Sequence, residues 1–518
     1  MKNGYLFFTV FISGMTSLAV ELAASRLLGN YFGTSNLVWA CIIGLILIYL
    51  SVGYYLGGSW ADRSAKPSTF YQILAWAGLL VGLIPLASRP VLRFASTAFD
   101  SWQMNIVFGS FAAVLILFIL PVSLLGTASP FAIRLAIGES TTAGKVSGRI
   151  YAISTLGSFI GTFLPTLLLI PAIGTYRTFL FFGGLLIITA LIGLGKTSGW
   201  RKAAVYLWMP LIILGLTWFG VAGTDKVSAG QVYETESAYN YIQVVEENGF
   251  YYLHLNDGRG FHSVYHSTQL NYYGPWEQVL VAPFFNPPPY DLNKIESMAI
   301  VGLAAGTTAR QASRVYPHIK IDGIEIDPEI VEVGKEYFDM NSPNLNVIIQ
   351  DGRWALEHST SKYQIISVDA YRPPYIPWHL TTREFFQIVR DHLTEDGVMV
   401  INVGRVSSDR RLIETLGSTI LSVFPTVHVI DIPGTFNSIL FATVQPTNQA
   451  NLIENLDILL LNPAVNPLLI ETMQVTAANL RPSPQPGIVF TDDKAPIELI
   501  TNQMVLDFIF SGSMETLQ

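Results

Sequence analysis

The chain has 518 residues and a formal net charge of −8, and only 13% of its side chains are Asp, Glu, Lys or Arg, about half the share of an ordinary soluble protein. Residues 1–224 carry 13 Lys+Arg and 4 Asp+Glu while the other 294 carry 17 and 34, so a basic, apolar half at +9 joins an acidic half at −17, which argues against a single soluble domain and against a nucleic-acid binder. Cys41 is the one cysteine, which excludes an internal disulfide framework and a Cys-based zinc cluster within one chain.

Apolar windows of near membrane-crossing length recur at 5–28, 37–60, 70–92, 104–125, 150–170, 178–194 and 203–221, predicting about seven transmembrane spans. Lys2 before the first window suits a signal peptide, but Glu21 and Arg26 fit a cleavage region badly and more apolar segments follow, so the window reads as a retained span. Glu21 and Arg26 themselves need a partner or a wet cavity at that depth: either a structural ion pair near the interface or a polar site among the helices. Gly53 with Gly57, and Gly157 with Gly161, put small residues four apart on one helix face, where two backbones can approach. The segment Gly57-Gly-Ser-Trp-Ala-Asp-Arg63 resembles the cytoplasmic loop between the second and third helices of major-facilitator transporters.

Basic residues cluster after spans two, four and six, at Arg63 and Lys66, at Arg134, Lys145 and Arg149, and at Lys196, Arg201 and Lys202. The positive-inside rule then puts the N-terminus in the cytoplasm, and an odd span count delivers the second half outside. The metabolite requirement argued below places the catalytic domain in the cytoplasm instead, so the two expectations conflict.

From Gln231 the pattern shifts to short alternating runs. Tyr241 to Glu246 and Phe250 to Leu255 predict a hairpin, closed by a turn at Asn256, Asp257 and Gly258. After Pro287, Pro288 and Pro289, strands at 297–302, 319–326, 346–349, 364–368 and 397–403 alternate with helical segments, the order of a doubly wound parallel sheet. The expected organisation is an all-α membrane bundle (1–224), a small β-hairpin domain (225–290), an α/β Rossmann-like, methyltransferase-type domain (291–450) and a C-terminal extension (451–518).

In such sheets ligands lie beyond the carboxyl ends of the strands. Gly302, Leu303, Ala304, Ala305, Gly306 and Thr307 follow the first strand and let backbone approach a ligand. Glu325 and Asp327 end the second, about 20 residues on, where an acid accepts ribose hydroxyls. Asp351 and Gly352 follow the third and can border an adenine edge, and Asp369 opens the loop Asp-Ala-Tyr-Arg-Pro-Pro after the fourth. Each carboxylate taken alone is as readily a helix cap or turn former; the set after four successive strands points to a nucleoside.

These residues resemble the spermidine synthase family, in particular a branch with N-terminal transmembrane helices, over about 231–445. Glu236-Ser-Ala-Tyr-Asn240 with Ile242 is similar to the family's first strand, Leu255-Asn-Asp-Gly258 to its hairpin, and 302–307 to its nucleoside loop. The resemblance implies donor binding by Asn240, Gly302, Ala304, Ala305, Gly306, Glu325, Asp327, Asp351 and Gly352. It implies catalysis by Asp369, assisted by Tyr272 or Tyr273, and substrate contacts from Asp369, Arg372 and Glu277. The segment Thr491-Asp-Asp-Lys-Ala-Pro-Ile-Glu498 resembles an acidic stretch of fused members, with no role derivable from the sequence. The implied chemistry moves an aminopropyl group from decarboxylated S-adenosylmethionine to an amine and releases methylthioadenosine, without a metal.

Three departures bear on the donor. Ala305 and Arg372 stand where the family carries acids for the donor's ammonium, and Pro275 stands where a tyrosine is expected before Glu277. An arginine suits a carboxylate, so intact S-adenosylmethionine remains open as donor, by aminocarboxypropyl or methyl transfer or by donor decomposition. A transporter or sensor with a nucleoside-binding half is the remaining alternative. The expected partners are an amine substrate and the lipid bilayer; a homodimer is left open.

Overall fold

A computed structural model describes residues 3–32, 36–102, 106–137, 143–220, 228–256, 260–371, 376–405 and 409–510. Contacts divide the chain into two units: Met1–Ser228 with Glu234–Tyr241 and Asn256–Gly258, and Ala229–Tyr233 with Ile242–Leu255 and Arg259–Gln518.

Uninterrupted apolar sequence makes the first unit helical: α1 (Asn3–Phe32), α2 (Asn36–Arg63), α3 (Pro67–Trp102), α4 (Ile106–Gly126), α5 (Ala128–Ile137), α6 (Ala143–Leu164), a π-helical turn (Pro165–Leu169), α7 (Ile170–Ser198), α8 (Trp200–Ala204) and α9 (Trp208–Gly215). Among the described residues six apolar helical stretches are long enough to cross a membrane, and one of them, 56 residues from Ala143 to Ser198, takes in both the fifth and the sixth window. That stretch is not one continuous helix. Gly174 has φ 81° and ψ 167° within the helical run, a break that apolar composition does not reveal. Both ends of the run return to the start of α1: the Arg149 guanidinium lies 4.4 Å from the Phe7 ring centre and the Lys196 ammonium 4.2 Å from that of Tyr5. The run therefore folds back on itself at Gly174. Large apolar side chains such as Leu47, Ile48, Leu120 and Leu167 are more than half exposed on these helices.

The paired glycines do what their spacing predicts. A Cβ on Gly157 or Gly161 would stand 2.1 Å from the carbonyl oxygens of Phe11 or Met15, and one on Gly53 would stand 2.2 Å from that of Ser123. Backbone thus packs on backbone between α1 and α6 and between α2 and α4.

Arg26 is paired, but with Glu236 rather than with Glu21. Its Nε donates to Glu236 Oε1 at 3.2 Å, and its terminal nitrogens donate to the Tyr239 and Ser237 carbonyls at 2.9 and 2.7 Å. Asn30 Nδ2, Thr175 N and Thr175 Oγ1 supply further donors to the same carboxylate at 3.3, 2.9 and 2.6 Å. Both charges are nearly buried, and the surplus of hydrogen bonds offsets the desolvation that such a pair incurs.

In the second half, β1 (Gln231–Glu236), β2 (Tyr241–Glu247), β3 (Phe250–Leu255) and β4 (Ser263–His266) form a four-stranded sheet in sequence order. The predicted hairpin is present with Ile242 opposite Leu255; Asp257 and Gly258 lie outside the described residues. A short α10 (Pro275–Gln278) leads into the α/β domain. There β5 (Ser297–Val301), α11 (Thr307–Val315), β6 (Lys320–Glu325), α12 (Pro328–Tyr337), β7 (Leu345–Ile349), α13 (Gly352–Glu357), β8 (Tyr363–Val368), α14 (Arg383–Asp391) and β9 (Leu393–Gly404) alternate. They are followed by α15 (Arg411–Leu421), β10 (Thr426–Asp431), β11 (Asn437–Thr443), α16 (Gln449–Leu460), α17 (Pro467–Ala478), β12 (Leu480–Arg481) and α18 (Ile497–Phe510).

The sheet order is β12-β10-β11-β9-β8-β5-β6-β7. The five predicted strands are parallel, while β11, β10 and β12 add antiparallel pairs and make the sheet mixed. The central parallel strands β5, β8 and β9 read as largely apolar runs because both faces are covered, whereas β6 and the edge strand β7 do not. Ile365, Val398 and Val400 enter one core with Leu280 and Phe284, whereas Ile366, Met399 and Ile401 enter the other with Phe385 and Phe386.

Candidate active site

The loop after β5 is built around three left-handed positions, two of them glycines. Gly302 has φ 90°, and a Cβ there would lie 2.6 Å from the Asp369 carbonyl oxygen and 2.7 Å from Ala370 N and Cα. Asp369 N in turn donates to Val301 O at 2.9 Å, so the glycine loop and the loop after β8 are in direct backbone contact. Gly306, with φ 84°, precedes α11. Ala304 adopts φ 49° despite its side chain, a conformation that persists only where neighbours over-determine it. They do: Ala304 N donates to Glu325 Oε2 at 2.9 Å, Ala305 N donates to Ser263 Oγ at 3.0 Å, and Thr307 Oγ1 bonds both the N–H and the carbonyl of Val264.

Glu325 is 7% exposed, and burial pushes its carboxyl up to about 7 against the backbone N–H groups of Asp327 and Ala304, which hold it down. Asp327 is fully buried and caps α12 by accepting from Glu329 N at 3.1 Å. Asp351 caps α13 through Trp354 N at 3.0 Å, and its other oxygen meets His379 Nε2 at 3.1 Å. A Cβ on Gly352 would stand 2.4 Å from Val301 Cγ1, which ties this corner to the end of β5.

Asp369 stands at the end of β8, beside the glycine loop. Burial raises its carboxyl to about 6, opposed only by a hydrogen bond from Asn402, whose Nδ2 lies 3.0 Å from Oδ1. Among the described residues Asn402 Oδ1 is buried without a hydrogen-bond partner. Tyr371 OH donates to the Asn402 carbonyl at 3.1 Å and accepts from Gly404 N at 2.6 Å; burial and the nearby Asp369 charge keep this phenol protonated. Asn402 escaped the sequence reading. Its signal is a polar residue inside the apolar run Val-Met-Val-Ile-Asn-Val of β9.

The remaining expected residues are placed as follows. Tyr272 accepts from His266 N of β4 and Arg310 Nη1 of α11 and donates to the Gln269 carbonyl, so its hydroxyl is occupied by structural partners. Tyr273 has φ 56° and is 69% exposed, leaving its ring accessible beside a cavity of about 120 Å³ that Asn271, Ile432 and Pro433 also line. Glu277 is 1% exposed and receives Tyr272 N, Gln311 Nε2 and Gly274 N, and burial raises its carboxyl. Its carboxylate shapes the 272–278 turn. Asn240 belongs to the first unit, where its Oδ1 accepts from Asn256 Nδ2 at 2.9 Å. Arg372 lies outside the described residues. A cavity of about 920 Å³ lined by Ser297, Lys320, Asn346 and Tyr363 opens at the amino-terminal ends of the strands, the edge opposite these acids. Among the described residues no three His, Cys, Asp or Glu side chains are grouped to hold a metal.

Residues 287–454 match the Spermine/spermidine synthase domain. The chain is 34% identical over 281 residues to a probable polyamine aminopropyl transferase of Bifidobacterium longum, covering 52% of this chain and 61% of that protein, which is less than two thirds of its length. It is 30% identical over 211 residues to a polyamine aminopropyltransferase of Vibrio vulnificus, covering 39% of this chain and 68% of that one. A crystal structure of a probable spermidine synthase from Corynebacterium glutamicum superposes with a TM-score of 0.39 at 22% identity, covering 46% of this chain and 89% of the other.

Proposed function

The chain belongs to the spermine/spermidine synthase family, and we propose from that premise that it is a membrane-associated aminopropyltransferase acting on a sulfonium nucleoside and an amine. The amine nitrogen forms a bond to the carbon beside the sulfonium, the carbon–sulfur bond breaks with its electron pair returning to sulfur, and methylthioadenosine leaves. The sulfonium is already an activated leaving group. The barrier that remains is the amine's proton: with a pKa near 10.4, only about one amine in a thousand is neutral at pH 7, equivalent to roughly 4 kcal/mol. One observation carries the reading. Asp369 presents a partly buried carboxylate that accepts a side-chain hydrogen bond from Asn402, where the glycine loop and the β8 loop touch. It orients the ammonium and receives the released proton, while Glu325 takes the ribose hydroxyls and Asp351 the adenine edge.

Decarboxylated S-adenosylmethionine is the donor of this reading. One observation favours intact S-adenosylmethionine as a second reading: Ala305 is 1% exposed within an apolar cluster, so no acid stands there to hold the donor's ammonium group. Purified protein incubated with either donor, with and without putrescine, and analysed by mass spectrometry separates the two. Methylthioadenosine formed from the decarboxylated donor only when an amine is present supports aminopropyl transfer; S-adenosylhomocysteine, or methylthioadenosine from intact donor alone, overturns it. The reading further places the nucleoside-binding unit on the cytoplasmic face, where such donors are made, against the loop-charge count; a reporter fused after Gln518 decides the face.

A further inference from the structure

The acidic segment near residue 492 is bound into the corner that carries Asp351. Asp492 and Arg353, 139 residues apart in sequence, form a two-pronged ion pair with both nitrogen–oxygen distances at 2.7 Å. The same carboxylate accepts from Thr382 Oγ1 at 2.7 Å, and Asp492 N donates to Glu384 Oε2 at 3.0 Å. A tight turn presents it, with Thr491 and Lys494 exchanging backbone hydrogen bonds at 3.1 and 2.9 Å, and Arg383 N donates to the neighbouring Phe490 carbonyl at 2.9 Å.

From Arg353 the contacts lead to the nucleoside corner. Arg353 Nη1 also donates to the His379 carbonyl at 3.2 Å, and the His379 ring nitrogen meets Asp351 Oδ2 at 3.1 Å. Arg353 follows Asp351 and Gly352 directly in α13. One carboxylate therefore anchors both the first turn of α13 and, through Thr382, the start of α14. A planar guanidinium held on two prongs fixes orientation as well as distance.

We propose that Asp492 and Arg353, with His379, are positioning residues that set the Asp351 carboxylate for the adenine of the donor, which gives the 491–498 segment its role. The inference rests on the reading above that Asp351 meets the adenine. With the pair loosened, Asp351 loses its fixed direction while Asp369 and the amine side of the site keep theirs. The expected signature is thus confined to the nucleoside.

The test uses the full chain, wild type and Asp492→Asn, with calorimetric titration of methylthioadenosine and steady-state kinetics in donor and amine. We expect Asp492→Asn to weaken methylthioadenosine binding and to raise the donor KM together, by about threefold to tenfold, with kcat and the amine KM within about twofold. Asp492→Glu, which keeps the charge, is expected to recover most of the loss. Unchanged binding and donor KM overturn the inference while leaving the family reading intact. A fall in thermal stability accompanied by equal loss in both KM values and in kcat overturns it as well, since that is a merely structural role. Failure of the wild-type chain to bind any adenosyl compound overturns the reading beneath it.

Discussion

Asp369→Asn is expected to lower kcat by about two to four orders of magnitude while leaving methylthioadenosine affinity within a few fold. The amide keeps the volume and the hydrogen-bonding neighbourhood of the side chain but cannot take the proton of the attacking amine. With its carboxyl at about 6, Asp369 in the wild type is about nine-tenths ionised at pH 7, and kcat/KM should fall as pH drops through about 6. Stability runs the other way. Folding raises this pKa above its unfolded value, so the folded state is favoured most below about pH 3.8, where both states are protonated, and loses that contribution as pH rises to about 6. The ligand-free Asn variant should therefore melt at a higher temperature than wild type at pH 8, by an amount corresponding to about 1–3 kcal/mol, with the gap closing near pH 4. Wild-type turnover in the variant would remove Asp369 from the mechanism.

Gly302→Ala is expected to abolish nucleoside binding through backbone geometry alone. At φ 90° an added Cβ sits in a region that L-residues rarely occupy, and it would lie 2.6–2.7 Å from backbone atoms of Asp369 and Ala370. A side-chain neighbour could rotate away; a backbone one moves only with its loop. Strain of about 1–3 kcal/mol at the glycine adds to displacement of the catalytic loop, so affinity for methylthioadenosine should fall by more than about tenfold, with a lower Tm. Crystals or calorimetry showing an unaltered site in Gly302→Ala would mean that the two loops do not constrain each other.

The parallel core was legible because β5, β8 and β9 are covered on both faces and read as largely apolar runs, and because polar and glycine residues follow the strand ends. The position of Asp369 against Gly302 follows from that rule. The antiparallel additions were less legible: β10 and β11 are short apolar runs whose pairing order, with β11 next to β9, depends on tertiary packing. Gly174 looked like any glycine in an apolar stretch, yet its dihedral angles break the helical run between two windows and turn it back on itself. Long-range partners were beyond periodicity altogether. Arg26 finds Glu236 at a sequence separation of 210, and Asp492 finds Arg353 at 139, distances over which no local pattern carries information. Asp327 shows the converse limit, since the helix cap that an isolated Asp suggests is what the structure contains.

The central claim is a nucleoside pocket formed by Gly302, Glu325, Asp351 and Asp369, and its most direct test is calorimetric titration of the full-length chain in detergent with methylthioadenosine. The account predicts saturable binding of one molecule per chain, retained in Asp369→Asn and lost in Gly302→Ala. Absence of binding by the folded wild-type chain, or equal binding by all three proteins, would contradict it.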